Sequence, residues 1–392
     1  MSENPFKPSF GKTPPLLAGR DPLVSQFGEM FRSGEWTPAR MSILQGLRGI
    51  GKTVLLNAIE DAAHENGWLV LSETAHTGLV ERLTATALPR LLREHDPQSQ
   101  RRDVTAGGIA AVGSLTTQIS ERHLPSQDLR DQLTLLCELA ADLGIGVLLT
   151  LDELHAHALP EITPITVALQ HLQREDRDIA FVGAGLPDNI NGVLQDKGTT
   201  FLRRATRIDL DSLTIDESRA ALHDPIVVAG RSIDSDALEY AALASRGYPF
   251  LVQAIGSAAW SATPRTDSIT MADVEQASRR AHRTMGQHVH APSMKSLSAT
   301  DRTYLAAMAN DAGPSRTNAI AKRMGVSIGY ASVYRQRLLD AGLIEAPERG
   351  VVRFALPYLR DYLREHSVAN TLNPTARSTF PEHEPDLDAG LR

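Results

Sequence analysis

The chain has 392 residues and a mass of 42.6 kDa, a length that at about 150 residues per domain predicts two to three domains. Hydrophobic residues make up 42% and charged residues 22%, which excludes a fibrous chain or one disordered over most of its length. A net charge of −7 excludes a wholly basic nucleic-acid coat, and the single cysteine, Cys137, excludes a disulfide framework or a cysteine-based zinc site.

The N-terminal 15 residues are polar and proline-rich, without the apolar stretch of a secretory signal, and read as a flexible arm. No segment reaches the roughly 18 apolar residues needed to span a bilayer. The cysteine usage then makes a reducing cytoplasm the expected compartment. From residue 16 to about 213, short apolar runs alternate with amphipathic stretches. Met41–Gln45 reads as a strand ending in a glycine turn, Lys52–Asn66 as a helix with Leu55, Leu56 and Ile59 on one face, and Trp68–Ser72 as a second strand. Residues 102–123 are small and glycine-rich, either a β-hairpin insertion or an ordered loop. Ser126 is the expected cap of a helix running to Leu143. Gly146–Leu151 is a continuous apolar strand of the type buried in parallel sheets, Ile179–Gly183 is another, and Arg207–Leu210 is the last. Alternating strand and helix predicts a doubly wound α/β unit with a parallel sheet.

Residues 214–290 read as a helical unit, opened by Thr214-Ile215-Asp216-Glu217, continued by a helix over Ser235–Ser245 and a third begun by Gly247-Tyr248-Pro249-Phe250. In residues 291–366, Thr300–Asn310 and Thr317–Met324 are helices and Gly325-Val326-Ser327 is a turn. Ser327 then caps a third helix to about Ala341, and two strands meet at Arg349-Gly350. Helix, helix, turn, helix and two-stranded wing predict a winged helix-turn-helix, a module whose third helix enters the major groove of DNA. Residues 367–392 hold prolines and acids and read as a disordered tail.

The chemistry concentrates in Gly46, Leu47, Arg48, Gly49, Ile50, Gly51, Lys52, Thr53 and Val54. The first eight complete the pattern GxxxxGK[ST], with the strand before it and the helix after it that the pattern requires. Glycines let backbone N–H groups wrap a phosphate, the helix N-terminus adds its positive end, Lys52 holds the outer phosphates and Thr53 offers its hydroxyl to Mg²⁺. Gly11-Lys12-Thr13 lacks the strand and the first glycine and reads as a chance match. About 100 residues after the loop, the apolar strand Leu148–Leu151 delivers Asp152 and Glu153. Asp152 is placed to hold Mg²⁺, directly or through water, and Glu153 to polarise a water as general base. His155 and His157, two residues apart, do not share a helix face and read as solvated histidines.

These motifs resemble the AAA+/STAND group of P-loop ATPases, and more narrowly ATPases of the bacterial and archaeal origin-recognition type that end in a winged helix. The resemblance covers residues 16–365 and implies an ATPase with ATP and Mg²⁺ as cofactors. Leu17-Ala18-Gly19-Arg20-Asp21 resembles the box that lies near the adenine, which implicates Arg20. Phe181–Pro187 resembles the sensor strand, but the family's polar sensor is missing at its end, with Asp188 or Asn189 as substitutes. Phe201-Leu202-Arg203-Arg204 stands where these ATPases carry a trans-acting arginine. Arg203 fits by spacing and Arg204 is second, and a trans arginine implies a homo-oligomer in the ATP-bound state. Arg246-Gly247-Tyr248-Pro249-Phe250 resembles the motif whose proline packs by the adenine, here Pro249. Other lids of the group place an arginine in the helix that follows, and this one has none unless Arg246 fills the role, a departure that points to a switch rather than a fast motor.

Charge separates the units. Residues 291–366 carry 11 Lys/Arg against 7 Asp/Glu, a net of +4, within an acidic chain. Ser332, Arg335, Gln336 and Arg337 on the third helix are candidates for contact with double-stranded DNA, and Arg349 and Arg353 on the wing for phosphates. The expected function is an ATP-hydrolysing protein whose nucleotide state controls a DNA-binding module. The alternative is a signalling or scaffold ATPase whose winged helix contacts protein.

Overall fold

The computed structural model describes residues 3–9, 11–35, 37–95, 128–262, 267–295 and 297–372. Residues 102–123, Ser126 and the chain beyond 372, each given an expectation above, lie outside them.

The sheet core begins with helix α1 (Asp21–Ser33) and strand β1 (Met41–Gly46), followed by α2 (Lys52–Glu65) and β2 (Leu69–Thr74). Then come α3 (Leu79–Arg82), α4 (Leu88–His95) and α5 (Leu129–Asp142). The core is completed by β3 (Val147–Asp152), α6 (Leu159–Arg174), β4 (Ile179–Gly185), α7 (Pro187–Gln195) and β5 (Thr206–Leu210). These five strands pair in parallel in the order β2-β3-β4-β1-β5. Side chains alternate across the sheet. Ile43, Leu149 and Phe181 enter a cluster with α5 and α6, whereas Leu44, Leu148 and Val182 enter the opposite one with α1 and α2. Both faces are therefore apolar, which explains why β3 reads as an unbroken apolar run. The expected doubly wound parallel sheet is present. Helix α5 starts at Leu129, three residues after the expected cap, because the Asp128 carboxylate accepts from the N–H groups of Arg130 and Asp131.

The helical unit consists of α8 (Ile215–Val228), α9 (Ser235–Ser245), α10 (Pro249–Ala262) and α11 (Met271–Met285), with the short parallel pair β6 (Ser232–Ile233) and β7 (Ser268–Ile269). Thr214 and Glu217 form a reciprocal capping box that fixes the start of α8. Helix α11 runs through Gly286–His290 into α12 (Ala291–Lys295), so the helical path crosses the expected boundary at 290/291.

The C-terminal unit holds α13 (Ala299–Ala309), β8 (Ser315–Arg316), α14 (Thr317–Met324), α15 (Ile328–Asp340), β9 (Ile344–Glu348), β10 (Val351–Phe354) and α16 (Leu359–Leu372). Its strands pair antiparallel in the order β8-β10-β9, three strands where two were expected, because Ser315–Arg316 pairs with β10. Helix α16 extends past residue 367, where the disordered tail was expected to begin.

The described residues of the N-terminal arm, 3–9 and 11–15, form no helix or strand but are packed rather than free. Phe6 is 4% exposed and joins an apolar cluster continuous from the sheet through the helical unit to the C-terminal unit.

Candidate functional site

The loop after β1 is shaped by its glycines. Gly49 and Gly51 have φ of 77° and 97°, a region L side chains rarely adopt. At Gly46 a Cβ would stand 2.8 Å from the Leu210 carbonyl oxygen on β5, so only glycine lets these strands close. Lys52 opens α2, and its ammonium donates to the carbonyls of Gly46 and Leu47, both at 2.8 Å. Burial depresses its pKa from 10.5 to about 8, against the opposing pull of the Asp152 carboxylate.

Strand β3 brings Asp152 to the same place. Thr53 Oγ1 donates to Asp152 Oδ2 at 2.6 Å, joining residues 99 positions apart. The other carboxylate oxygen accepts the Glu153 N–H at 2.7 Å. Glu153 has φ of 56°, a left-handed conformation held at the strand end, and its side chain is exposed. Strain of this kind costs about 1–3 kcal/mol and clusters at functional sites.

Lys52, Thr53, Asp152 and Glu153 line one cavity of about 730 Å³, together with Arg20, Arg48, Gly49, Ile50, Gly51, Val54, Asn189 and Pro249. Burial lowers the Arg20 pKa, opposed by Glu217 and Asp211, and its guanidinium donates to the Asp211 carbonyl. Leu47 is close to the C-terminal unit rather than to the cavity, since its side chain reaches the turn at Gly342. The donor set fits Mg²⁺: one carboxylate and one hydroxyl in contact, with room for phosphate oxygens and water, as that hard, reluctantly dehydrated ion requires. No cluster of three or more His, Cys, Asp or Glu residues able to hold a metal occurs among the described residues. His155 lines the cavity, and its ring lies 6.0 Å from that of His157.

The sensor position divides cleanly. Asn189 lines the cavity, whereas Asp188, one residue earlier on α7, faces Asp340 of α15, and burial together with that like charge raises its pKa. The strand end itself has no room for a polar side chain. A Cβ at Gly183 would lie 2.4 Å from Leu154, and one at Gly185 2.7 Å from the Leu154 carbonyl oxygen.

Arg203, the first candidate for the trans arginine, is exposed and bonded within its own chain. Its guanidinium donates to the carbonyls of Leu194 at 2.6 Å, Gln195 at 3.1 Å and Asp196 at 3.4 Å, closing the end of α7. Arg204 is exposed and makes no hydrogen bond or ion pair to the described residues.

In the C-terminal unit, Arg337 pairs with Asp301 at 3.0 Å and sits over the Tyr334 ring, while its side chain stays exposed. Asp301 is 1% exposed, which explains the need for a cation there. Arg353 pairs with Glu345, Gln336 donates to Asp340 at 2.7 Å, and Ser332 donates to the Ile328 carbonyl at 2.8 Å. Arg335 is half-buried and Arg349 is exposed on the turn between β9 and β10. Sequence reasoning did not single out Ile328, Tyr330 and Val333, which are exposed on the first half of α15.

Residues 16–182 match a family described as AAA ATPase domain, and residues 287–363 match a domain of unknown function (DUF8462). No curated protein sequence matches the chain. The ORC2 protein of Aeropyrum pernix in its ADPNP–ADP complexes has a similar fold, with 14% identity and a TM-score of 0.60 over 93% of this chain and 98% of that one. The ADP form of the same protein is similar at 15% identity and a TM-score of 0.50, over 95% of this chain and 100% of that one.

Proposed function

We propose that this chain, an AAA+ ATPase of the origin-recognition type by its ATPase domain and fold, binds ATP with Mg²⁺ in the cavity at the end of β1 and β3, hydrolyses it, and uses its nucleotide state to set how the C-terminal unit engages double-stranded DNA. The observation that carries this reading is the Thr53–Asp152 hydrogen bond, which unites loop and strand end beside Lys52.

In this reading Lys52 exchanges its two backbone carbonyls for phosphate oxygens, which satisfy the same ammonium with a stronger charge-assisted bond. The N–H groups of Gly49–Thr53 face the phosphates. Thr53 and Asp152 hold Mg²⁺, which when bound neutralises charge on the outer phosphates. Glu153, exposed beside them, orients and deprotonates the attacking water. Arg20 and Pro249 flank the purine, and Arg204 acts across a subunit boundary in a homo-oligomer.

The expected domain division is a core to residue 213, a helical lid over 214–290 and a winged helix over 291–366. The helix–helix–turn–helix order of α13, α14 and α15, followed by an antiparallel sheet, supports the winged-helix reading. Its net charge of +4, against an acidic remainder, supports a polyanionic partner. Helix α15 packs against α7, whose N-terminal turn lines the cavity, so a shift at the nucleotide has a short path to the reading helix.

Substitution tests the chemistry directly. Lys52→Ala abolishes ATP binding in an equilibrium assay. Glu153→Gln retains binding and loses hydrolysis by about 10²-fold or more, the range for removal of a general base. Normal hydrolysis by Glu153→Gln rules out the general-base assignment.

A further inference from the structure

The N-terminal segment, whose described residues form neither helix nor strand, crosses the cleft between the helical unit and the sheet core. On the helical side, Asn4 Nδ2 donates to the Ser257 carbonyl at 3.3 Å and the Ser257 hydroxyl at 3.0 Å, both on α10. The Lys7 N–H donates to Gln253 Oε1 on the same helix at 3.0 Å. Between them the Phe6 ring is buried against Gly256, where a Cβ would stand 2.4 Å from it. Glycine in a helix interior is otherwise disfavoured, and here it makes the seat for the ring.

On the core side, Asn57 Nδ2 of α2 donates to the Gly11 carbonyl at 3.1 Å. Gly11 lies beside Thr53, whose methyl would be 3.9 Å from a Cβ at that position. Lys7, Ser9, Gly11 and Lys12 line the same cavity as Lys52 and Thr53. The segment is thus tied to α10 on one side of the cavity and to α2 on the other, with two lysines along its wall.

We propose that this segment is a strap that closes the cavity over a nucleoside di- or triphosphate and slows its release, with Phe6 seated at Gly256 as its fastening and the Asn57–Gly11 contact as its anchor. The proposal rests on the nucleotide reading of the cavity. Release requires the helical unit to move from the core, and the strap opposes that motion because its two ends are fixed to the two sides. Freeing either end leaves the phosphate loop intact and removes the restraint.

The test follows release of a fluorescent ADP analogue from the full chain by stopped flow, with Phe6→Ala, Asn4→Ala and a chain lacking residues 1–9 beside the unaltered protein. Phe6→Ala and the shortened chain release the analogue about tenfold faster, the factor that corresponds to about 1.4 kcal/mol. Asn4→Ala, which removes only polar contacts of a half-buried side chain, gives a smaller acceleration in the same direction. Unchanged release from the shortened chain overturns the strap and leaves the ATPase reading standing. Failure of the unaltered chain to bind the analogue overturns the ATPase reading and the strap with it.

Discussion

Lys52 carries a pH dependence whose sign follows from its burial. Burial in the folded chain lowers its pKa from 10.5 to about 8. Phosphate favours the charged ammonium, so above pH 8 binding must take up a proton. Nucleotide affinity therefore falls as pH rises from 8 toward 10.5, by up to about tenfold per unit. Calorimetry in two buffers of different ionisation enthalpy reads the proton uptake. In the same window the unfolded chain holds the proton that the folded chain has released, so the stability of the nucleotide-free protein rises with pH there. At Arg337 the structure changes what a substitution means. Arg337→Ala removes the cation facing buried Asp301, which among the described residues retains its hydrogen bonds from Ser298. A loss of about 1–3 kcal/mol in denaturant unfolding is expected. A variant that weakens DNA binding with unchanged stability contradicts that structural role.

At the scale of elements, the turn between α9 and α10 is the most constrained. Gly247 has φ of 68°, and a Cβ there would lie 2.0 Å from the Leu213 carbonyl oxygen. The Leu213 N–H donates to the Gly247 carbonyl at 2.7 Å, fastening the turn to the link from β5. Tyr248, fully buried, donates its hydroxyl to the Arg48 carbonyl in the phosphate loop. Arg246, with φ of 50°, stacks 4.0 Å over Tyr358, whose hydroxyl donates to the Ala244 carbonyl at 2.8 Å. One turn thus touches the phosphate loop, the link from the core and the C-terminal unit. Gly247→Ala is expected to cost more than about 2 kcal/mol, read as a lower denaturant midpoint, since the backbone neighbour cannot yield. The turn's glycine and proline were visible in the sequence. Its contacts were not, because Arg48 and Tyr358 lie far from it along the chain.

Across the whole molecule the units share one apolar cluster, so nucleotide and DNA are coupled on the proposed reading. A gel shift with duplex DNA is expected to show binding that changes with ATP and weakens steeply with salt, as phosphate contacts by Lys and Arg require. No shift at low salt removes the DNA partner. Mixing Arg204→Ala subunits with Lys52→Ala subunits tests the trans arginine. ATPase activity returns in the mixture, because some interfaces then pair an intact loop with an intact arginine, and an inactive mixture of folded variants excludes it.

The sequence by itself determined the elements whose cause is local. The glycine-rich loop, the apolar strand ending in Asp152-Glu153, the Thr214 box and the Ser327 cap each depend on residues within a few positions of one another, and each was legible before the fold was known. Tertiary structure alone decided the strand order, the Thr53–Asp152 contact, the pairing of Arg337 with Asp301 and the docking of Phe6 at Gly256. Each of these depends on which distant segments meet. A charged or aromatic side chain looks the same in sequence whether it faces water or a buried partner, and only packing distinguishes the two.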